Sequence, residues 1–197
     1  MKPNSATSLA AGLLTLLASA VASAAAPAPE RTLLTEPPRA VADFQLTDQT
    51  GKSVKLAEFR GAPVLVFFGF THCSSVCPTA LTQLRQLERQ HRAELGKTRI
   101  VIISVDGERD SPAAMQTWLK PLSANFIGLT GAPARVHDIA AGFSAAFYKV
   151  PGKAGEYSVE HNSQIFLIDA KGRLRATFFN APLPTMAEVT RSIARES

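Results

Sequence analysis

An α/β fold is predicted by three features of the sequence. Residues 64–70 are a continuous apolar run of strand length and residues 100–105 a second one broken only by Ser104, as expected for strands covered on both faces, and a stretch with helical spacing connects them. Residues 165–168 and 174–178 form a second apolar pair around Asp169-Ala170-Lys171-Gly172, the pattern of a β-hairpin. Two cysteines, Cys73 and Cys77, lie where the first apolar run gives way to the helix. A βαβ unit, a closing hairpin and cysteines at the first strand-to-helix junction predict a thioredoxin-like domain with an N-terminal β-hairpin extension.

The extension comes first. Val41-Ala42-Asp43-Phe44-Gln45-Leu46 alternates as a strand, turn residues end at Gly51, and a short strand follows near Val54 and Leu56. After the buried strand 64–70, helical spacing begins at Pro78, with Leu81, Leu84, Leu87 and later Leu95 on the inward side. Proline suits a first helical turn, where its missing amide donor costs nothing. Beyond the strand 100–105, Ser111 as cap and Pro112 as first residue open a second helix. A short strand at 126–129 and a helix over about 133–143 lead toward the hairpin. The capping box Thr185-Met186-Ala187-Glu188 predicts the start of a final helix.

Residues 1–24 read as a secretory signal peptide. Lys2 precedes an apolar stretch from about Leu9 to Ala22, and Ala20-Val21-Ala22 and Ala22-Ser23-Ala24 offer cleavage sites. An uncleaved membrane anchor is the alternative, because the apolar run continues through Ala26. Residues 25–40, with Pro27, Pro29, Pro37 and Pro38, read as an extended tether outside the fold, leaving 41–197 as the domain. Roughly 170 residues is one ordinary domain, large enough to fold without a metal or a disulfide. The net charge of +5 is dispersed among acids, which excludes nucleic acid as a partner and is compatible with an acidic protein or an anionic membrane. Export places the domain in an oxidising compartment, with the periplasm as the expected location, soluble or tethered to the inner membrane.

A strand that delivers cysteines to a helix start places their sulfurs near unsatisfied amide donors and the positive helix end, which is expected to lower the thiol pKa. Four residues apart on helical backbone, Cys73 and Cys77 share one face and can form a disulfide or grip one ion. Two thiolates make an incomplete metal site, and there are four histidines to complete it. His91 and His137 sit in helical stretches as surface or packing residues. His72 adjoins Cys73, but neighbours at a strand end point to opposite sides. His161 precedes the strand at 165, and the entry to that strand faces the cysteine loop in a thioredoxin-like fold. An exposed loop histidine is the alternative.

These motifs resemble the Sco/SenC family of copper-binding proteins of respiratory-oxidase assembly, over nearly all of residues 41–195. The resemblance is carried by Phe68-Gly69-Phe70-Thr71-His72-Cys73-Ser74-Ser75-Val76-Cys77-Pro78, Ser104-Val105-Asp106, Arg109-Asp110-Ser111-Pro112, Leu129-Thr130-Gly131 and Tyr157-Ser158-Val159-Glu160-His161-Asn162-Ser163. It implies that Cys73, Cys77 and His161 bind copper, as Cu(I), Cu(II) or both, and that the protein is a metallochaperone for the dinuclear copper site of cytochrome c oxidase. The implied partners are a copper donor protein and the copper-bearing oxidase subunit or another cuproprotein. The chain departs from the family pattern at Ser74-Ser75, usually Pro-Asp, at Glu160, usually aspartate, and at Gly107, usually proline. Asp106 and Asp110 match family positions and read as loop-structuring acids rather than ligands.

Soft thiolates suit Cu(I), and two sulfurs with one imidazole leave an open edge from which an acceptor can take the ion. The rival reading is a thiol-disulfide oxidoreductase in which Cys73 and Cys77 form a reversible disulfide and reduce a cuproprotein's cysteines. Peroxide reduction fails on spacing, because the Pro-x-x-x-Thr-x-x-Cys arrangement of peroxiredoxins aligns with neither Thr71 nor Cys73. Structural zinc falls one ligand short of the usual four.

Overall fold

Every position from Val64 to Gly69 is buried, because this strand lies between two neighbours in the middle of a sheet and is covered by helices on its faces. The computed structural model describes residues 30–74, 76–153 and 156–196. The chain runs β1 (Arg31–Ala40), β2 (Gln45–Asp48), β3 (Ser53–Lys55), a 3-10 turn (Leu56–Phe59), β4 (Val64–Gly69), α1 (Val76–Gln90) and α2 (Arg92–Leu95). It continues with β5 (Arg99–Ser104), α3 (Pro112–Leu119), β6 (Phe126–Thr130), α4 (Pro133–Gly142), β7 (Phe147–Pro151) and β8 (Tyr157–His161). The last elements are β9 (Ile165–Ile168), β10 (Arg173–Phe179) and α5 (Leu183–Arg195).

Eight strands form one sheet in the order β1-β10-β9-β4-β5-β6-β2-β3. β4, β5 and β6 are parallel, with Phe67 opposite Ile102, and β9 returns antiparallel to β4, with Phe67 opposite Ile165. The predicted βαβ unit, the closing hairpin and the final helix are therefore all present, and β2 and β3 pair antiparallel at the far edge. Cys77, Ala80, Leu81, Leu84 and Leu87 make the buried stripe of α1, at the spacing that marks one helix face. α5 packs against α1 and α2 through Met186, Ala187, Thr190 and Ile193. Phe68, Phe143 and Phe166 meet edge to face at 5.3–5.9 Å. Burying each such side chain contributes about 1.5–3 kcal/mol relative to exposure.

Three sequence expectations need correction. Residues 31–40 are an edge strand, not a tether: β1 pairs antiparallel with β10, Arg31 opposite Phe179 and Ala40 opposite Arg173. Pro37 and Pro38 are tolerated because the register shifts between Leu34 and Arg39, so the prolines fall in an irregularity on the sheet's edge. The final helix starts at Leu183 after Pro182, and Thr185 lies inside it rather than capping it. Ser111 does cap α3, accepting from the Ala114 amide at 3.2 Å. The third correction adds a separate two-stranded sheet, β7–β8, in a stretch where no element was expected. The signal or anchor expected at 1–24 lies outside the described residues. Among the described residues no helix is long and apolar enough to cross a membrane.

Candidate metal centre

β4 ends at Gly69, and α1 begins at Val76 with Pro78 in its first turn. Between them the chain turns over the end of the sheet, with the Cys73 amide donating to the Phe70 carbonyl at 3.3 Å. Cys77 falls on the buried stripe of α1 and is 0% exposed, while Cys73 stands half-buried at the rim. The Cys77 amide donates to Cys73 Sγ at 3.4 Å. Gly69 leaves room for the Cys77 sulfur, since a Cβ there would come within 3.1 Å of Cys77 Sγ and 2.6 Å of Phe67 Cε1.

β8 supplies the third group. Its residues alternate inward and outward, so Tyr157, Val159 and His161 face the domain while Ser158 and Glu160 are exposed. His161 Nε2 lies 3.5 Å from Cys73 Sγ and 3.2 Å from Cys77 Sγ. The other ring nitrogen, Nδ1, is 2.9 Å from the Asn162 carbonyl, a bond in which only Nδ1–H can donate. This leaves the Nε2 lone pair directed at the sulfurs. Phe67 and Phe70 contact the imidazole edge-on at 5.9 and 5.6 Å and keep its surroundings apolar. The three donor atoms lie within 4.8 Å of one another, the one such cluster of three among the described residues. Cys73 and His161 border a cavity of about 200 Å³ also lined by His72, Val76 and Val159, with Cys77 buried outside its lining.

The expected acidification of the thiols does not hold for Cys77. Burial, reinforced by the neighbouring Cys73, pushes its pKa well above the ordinary thiol value, outweighing any helix-end effect. Burial also lowers the His161 pKa, against the opposing bond to Asn162, so the ring is neutral near pH 7. The metal-free site therefore holds a protonated Cys77 thiol and a neutral imidazole, and a cation entering it displaces a proton.

The remaining candidates are placed elsewhere. His72 is largely exposed, with Nδ1 against Thr71 Oγ1 at 2.9 Å and 3.9 Å from Asp110. His91 pairs with Glu94, and His137 stacks on Phe147 at 4.0 Å. Asp106 and Asp110 are buried and fully engaged by protein groups, in keeping with loop-structuring acids. Gly107 answers to close packing: a Cβ there would sit 1.9 Å from the Gly131 carbonyl oxygen, so this backbone path has no room for a larger residue. The sequence reading gave Tyr157 and Arg109 no role of their own. Tyr157 donates to Asp106 Oδ1 at 2.7 Å, and Arg109 lies over its ring at 3.9 Å. Burial and the Asp106 bond raise the Tyr157 pKa to about 12, so the phenol stays a donor.

The family model described as SCO1/SenC matches residues 33–196. The chain is 33% identical over 142 residues to a SCO2-like protein of Rickettsia conorii, covering 70% of this chain and 68% of that protein. It is 36% identical over 133 residues to the human mitochondrial SCO2 homolog, covering 66% of this chain and 50% of the human protein. The copper-bound structure of Bradyrhizobium japonicum ScoI superimposes with a TM-score of 0.71 at 37% identity, over 78% of this chain and 98% of that one. BsSco, described as a member of the Sco family of cytochrome c oxidase assembly proteins with a disulfide switch, superimposes with a TM-score of 0.70 at 26% identity. That match covers 84% of this chain and 99% of BsSco.

Proposed function

Because the chain belongs to the SCO1/SenC family, we propose that it carries copper on Cys73 Sγ, Cys77 Sγ and His161 Nε2 and delivers it to the copper-bearing subunit of cytochrome c oxidase or a similar cuproprotein. The observation that carries this reading is the convergence of two sulfurs and one imidazole nitrogen, the nitrogen stripped of its proton by the Asn162 bond. The spacing suits one ion. Bonds of about 2.0 Å to nitrogen and 2.3 Å to sulfur at trigonal angles separate the donors by about 3.7–4.0 Å. The two nitrogen-to-sulfur distances here, 3.2 and 3.5 Å, need only a small expansion to match.

Two thiolates and an imidazole suit Cu(I), and the half-buried Cys73 gives an acceptor ligand an edge to attack. Cys77 at the floor and the neutral His161 hold the ion until exchange is complete. Loading requires deprotonation of the raised Cys77 thiol, which couples uptake to proton release. Export to the periplasm and supply by a copper donor protein complete the proposal.

The proximity of the two sulfurs supports a second reading, reduction of an acceptor disulfide. Cys73, the more exposed, attacks the acceptor disulfide as thiolate and expels one acceptor thiolate; Cys77, once deprotonated, resolves the mixed disulfide and releases the second. The acceptor gains two electrons, and Cys73–Cys77 is left oxidised until a dithiol reductant restores it.

Anaerobic copper titration of the reduced protein, followed by absorption and mass, tests both readings on wild type, Cys73→Ser, Cys77→Ser and His161→Ala. One copper per chain with loss in all three variants supports the three-ligand site. Dependence on the cysteines alone supports the redox reading, and absence of stoichiometric uptake by wild type rejects copper carriage.

A further inference from the structure

Among the described residues β7 and β8 pair only with each other, so no strand ladder there fixes the His161 strand to the main sheet that carries the cysteine loop. The two halves of the metal centre meet instead on one short segment after β5. That segment turns tightly, with the Arg109 and Asp110 amides both donating to the Asp106 carbonyl, and it carries two carboxylates at 1% and 0% exposure.

Asp110 holds the sulfur half. Its Oδ2 accepts from Ser104 Oγ at 2.6 Å and from the Thr71 amide at 3.0 Å, and its Oδ1 accepts from Thr71 Oγ1 at 2.6 Å. Thr71 is two residues from Cys73. Asp106 holds the imidazole half. Its Oδ1 accepts from the Tyr157 hydroxyl, and its Oδ2 accepts from Arg109 Nε. Arg109 Nη1 in turn donates to the Tyr157 carbonyl at 3.1 Å, and its guanidinium lies on the Tyr157 ring. Tyr157 begins β8 and His161 ends it, on the same face.

We propose that Asp106, Arg109 and Tyr157 are positioning residues that set the distance from His161 Nε2 to the two sulfurs, with Asp110 fixing the cysteine side from the same segment. The inference rests on the metal-site reading above. A buried carboxylate with two donors is ordinary in a loop; two of them, four residues apart and each tied to a different half of one donor cluster, form a bracket. Phe67 and Phe70 also pack edge-on against the imidazole itself and the ring lies near the Phe68 backbone, while Lys149 with Glu108 at 2.6 Å and Phe147 on His137 hold the hairpin farther from it.

Tyr157→Phe keeps the ring and its cation contacts and removes only the hydroxyl. The expected result is a folded protein whose Cu(I) affinity, measured by chelator competition, falls about 10-fold, the lower end of the range for groups that orient a metal ligand. Where wild type binds copper, an unchanged affinity in Tyr157→Phe overturns the proposal. A metal-free readout separates its failure from that of copper binding: in the reduced protein, Tyr157→Phe shifts the His161 imidazole resonances and leaves those of His91 unchanged. An unmoved His161 overturns positioning even where wild type binds copper, and a shift supports it even where copper does not bind. Arg109→Lys, which keeps the charge but loses the fork, is expected to give the same pattern in both measurements.

Discussion

At the β10 end of β9, Asp169 is buried among partners chosen to satisfy it. Its carboxylate accepts from the Lys171 and Arg173 amides at 3.0 and 2.9 Å and from Arg173 Nε at 2.8 Å, and Arg175 stands 3.7 Å away. Before the other end of β9, across Asn162, Ser163 and Gln164, His161 presents Nε2 to two sulfurs, which are weak hydrogen-bonding partners, between two phenylalanine edges. Both ends bury polar atoms against the same sheet. One surrounds its charge with donors and holds the hairpin closed; the other gathers two sulfurs and one nitrogen that can bind a cation together once the thiols give up their protons. Stability and ligand chemistry are thus written in the same residue types and separated by what converges on them.

The largest effect should come from breaking the satisfied end. Asp169→Ala leaves Arg175, itself 7% exposed, without one of its acids and deprives three donors of the turn of their acceptor. A loss of about 3 kcal/mol is expected, the low end for breaking a buried pair because Arg173 is 34% exposed. The fall should appear as a lower urea midpoint, with copper stoichiometry per folded chain unchanged. Copper binding that falls in step would show that the two ends are not independent.

Gly69→Ala touches both properties at once and should cost less. The new Cβ would meet Phe67 Cε1 at 2.6 Å and Cys77 Sγ at 3.1 Å. Overpacking of this kind costs about 1–3 kcal/mol, and the displaced sulfur should also weaken copper binding. Measured side by side, urea midpoint and copper affinity should both drop; a change in stability alone would mean that Phe67 yields and the sulfur does not.

The sheet's centre was legible because its strands are buried on both faces, and apolar runs such as 64–70 and 100–105 have no other ready explanation. Cys73 and Cys77 were legible from their place at a strand-to-helix junction. β1 was not, because its apolar side chains lie at the surface: Leu33 and Leu34 are 43% and 60% exposed, so no apolar pattern marks it. β7 and β8 were missed for a related reason, since Phe147 and Val159 are their only fully buried residues. The strict alternation Tyr157-Ser158-Val159-Glu160-His161 was the signal available, and it places His161 inward. The thiol pKa was misjudged because the helix start is visible in sequence and the depth of Cys77 beneath it is not.

The smallest effect separates the two ends by pH. Burial by itself would raise the Asp169 pKa, but the bonds from Arg173 and Lys171 and the Arg173 charge outweigh it, so the folded value lies below the ordinary 3.8. A carboxyl that is more acidic when folded binds fewer protons in the native state than in the unfolded one as pH falls past 3.8. Its stabilising contribution is therefore complete above that pH and disappears progressively as pH falls through the folded value. Urea midpoints of wild type and Asp169→Asn should differ most near neutral pH and converge in this acid window, since the amide cannot titrate. A difference that stays constant down to about pH 2, below the usual carboxyl range, would mean that Asp169 stabilises the turn as a neutral acceptor and that its ionic contacts contribute nothing.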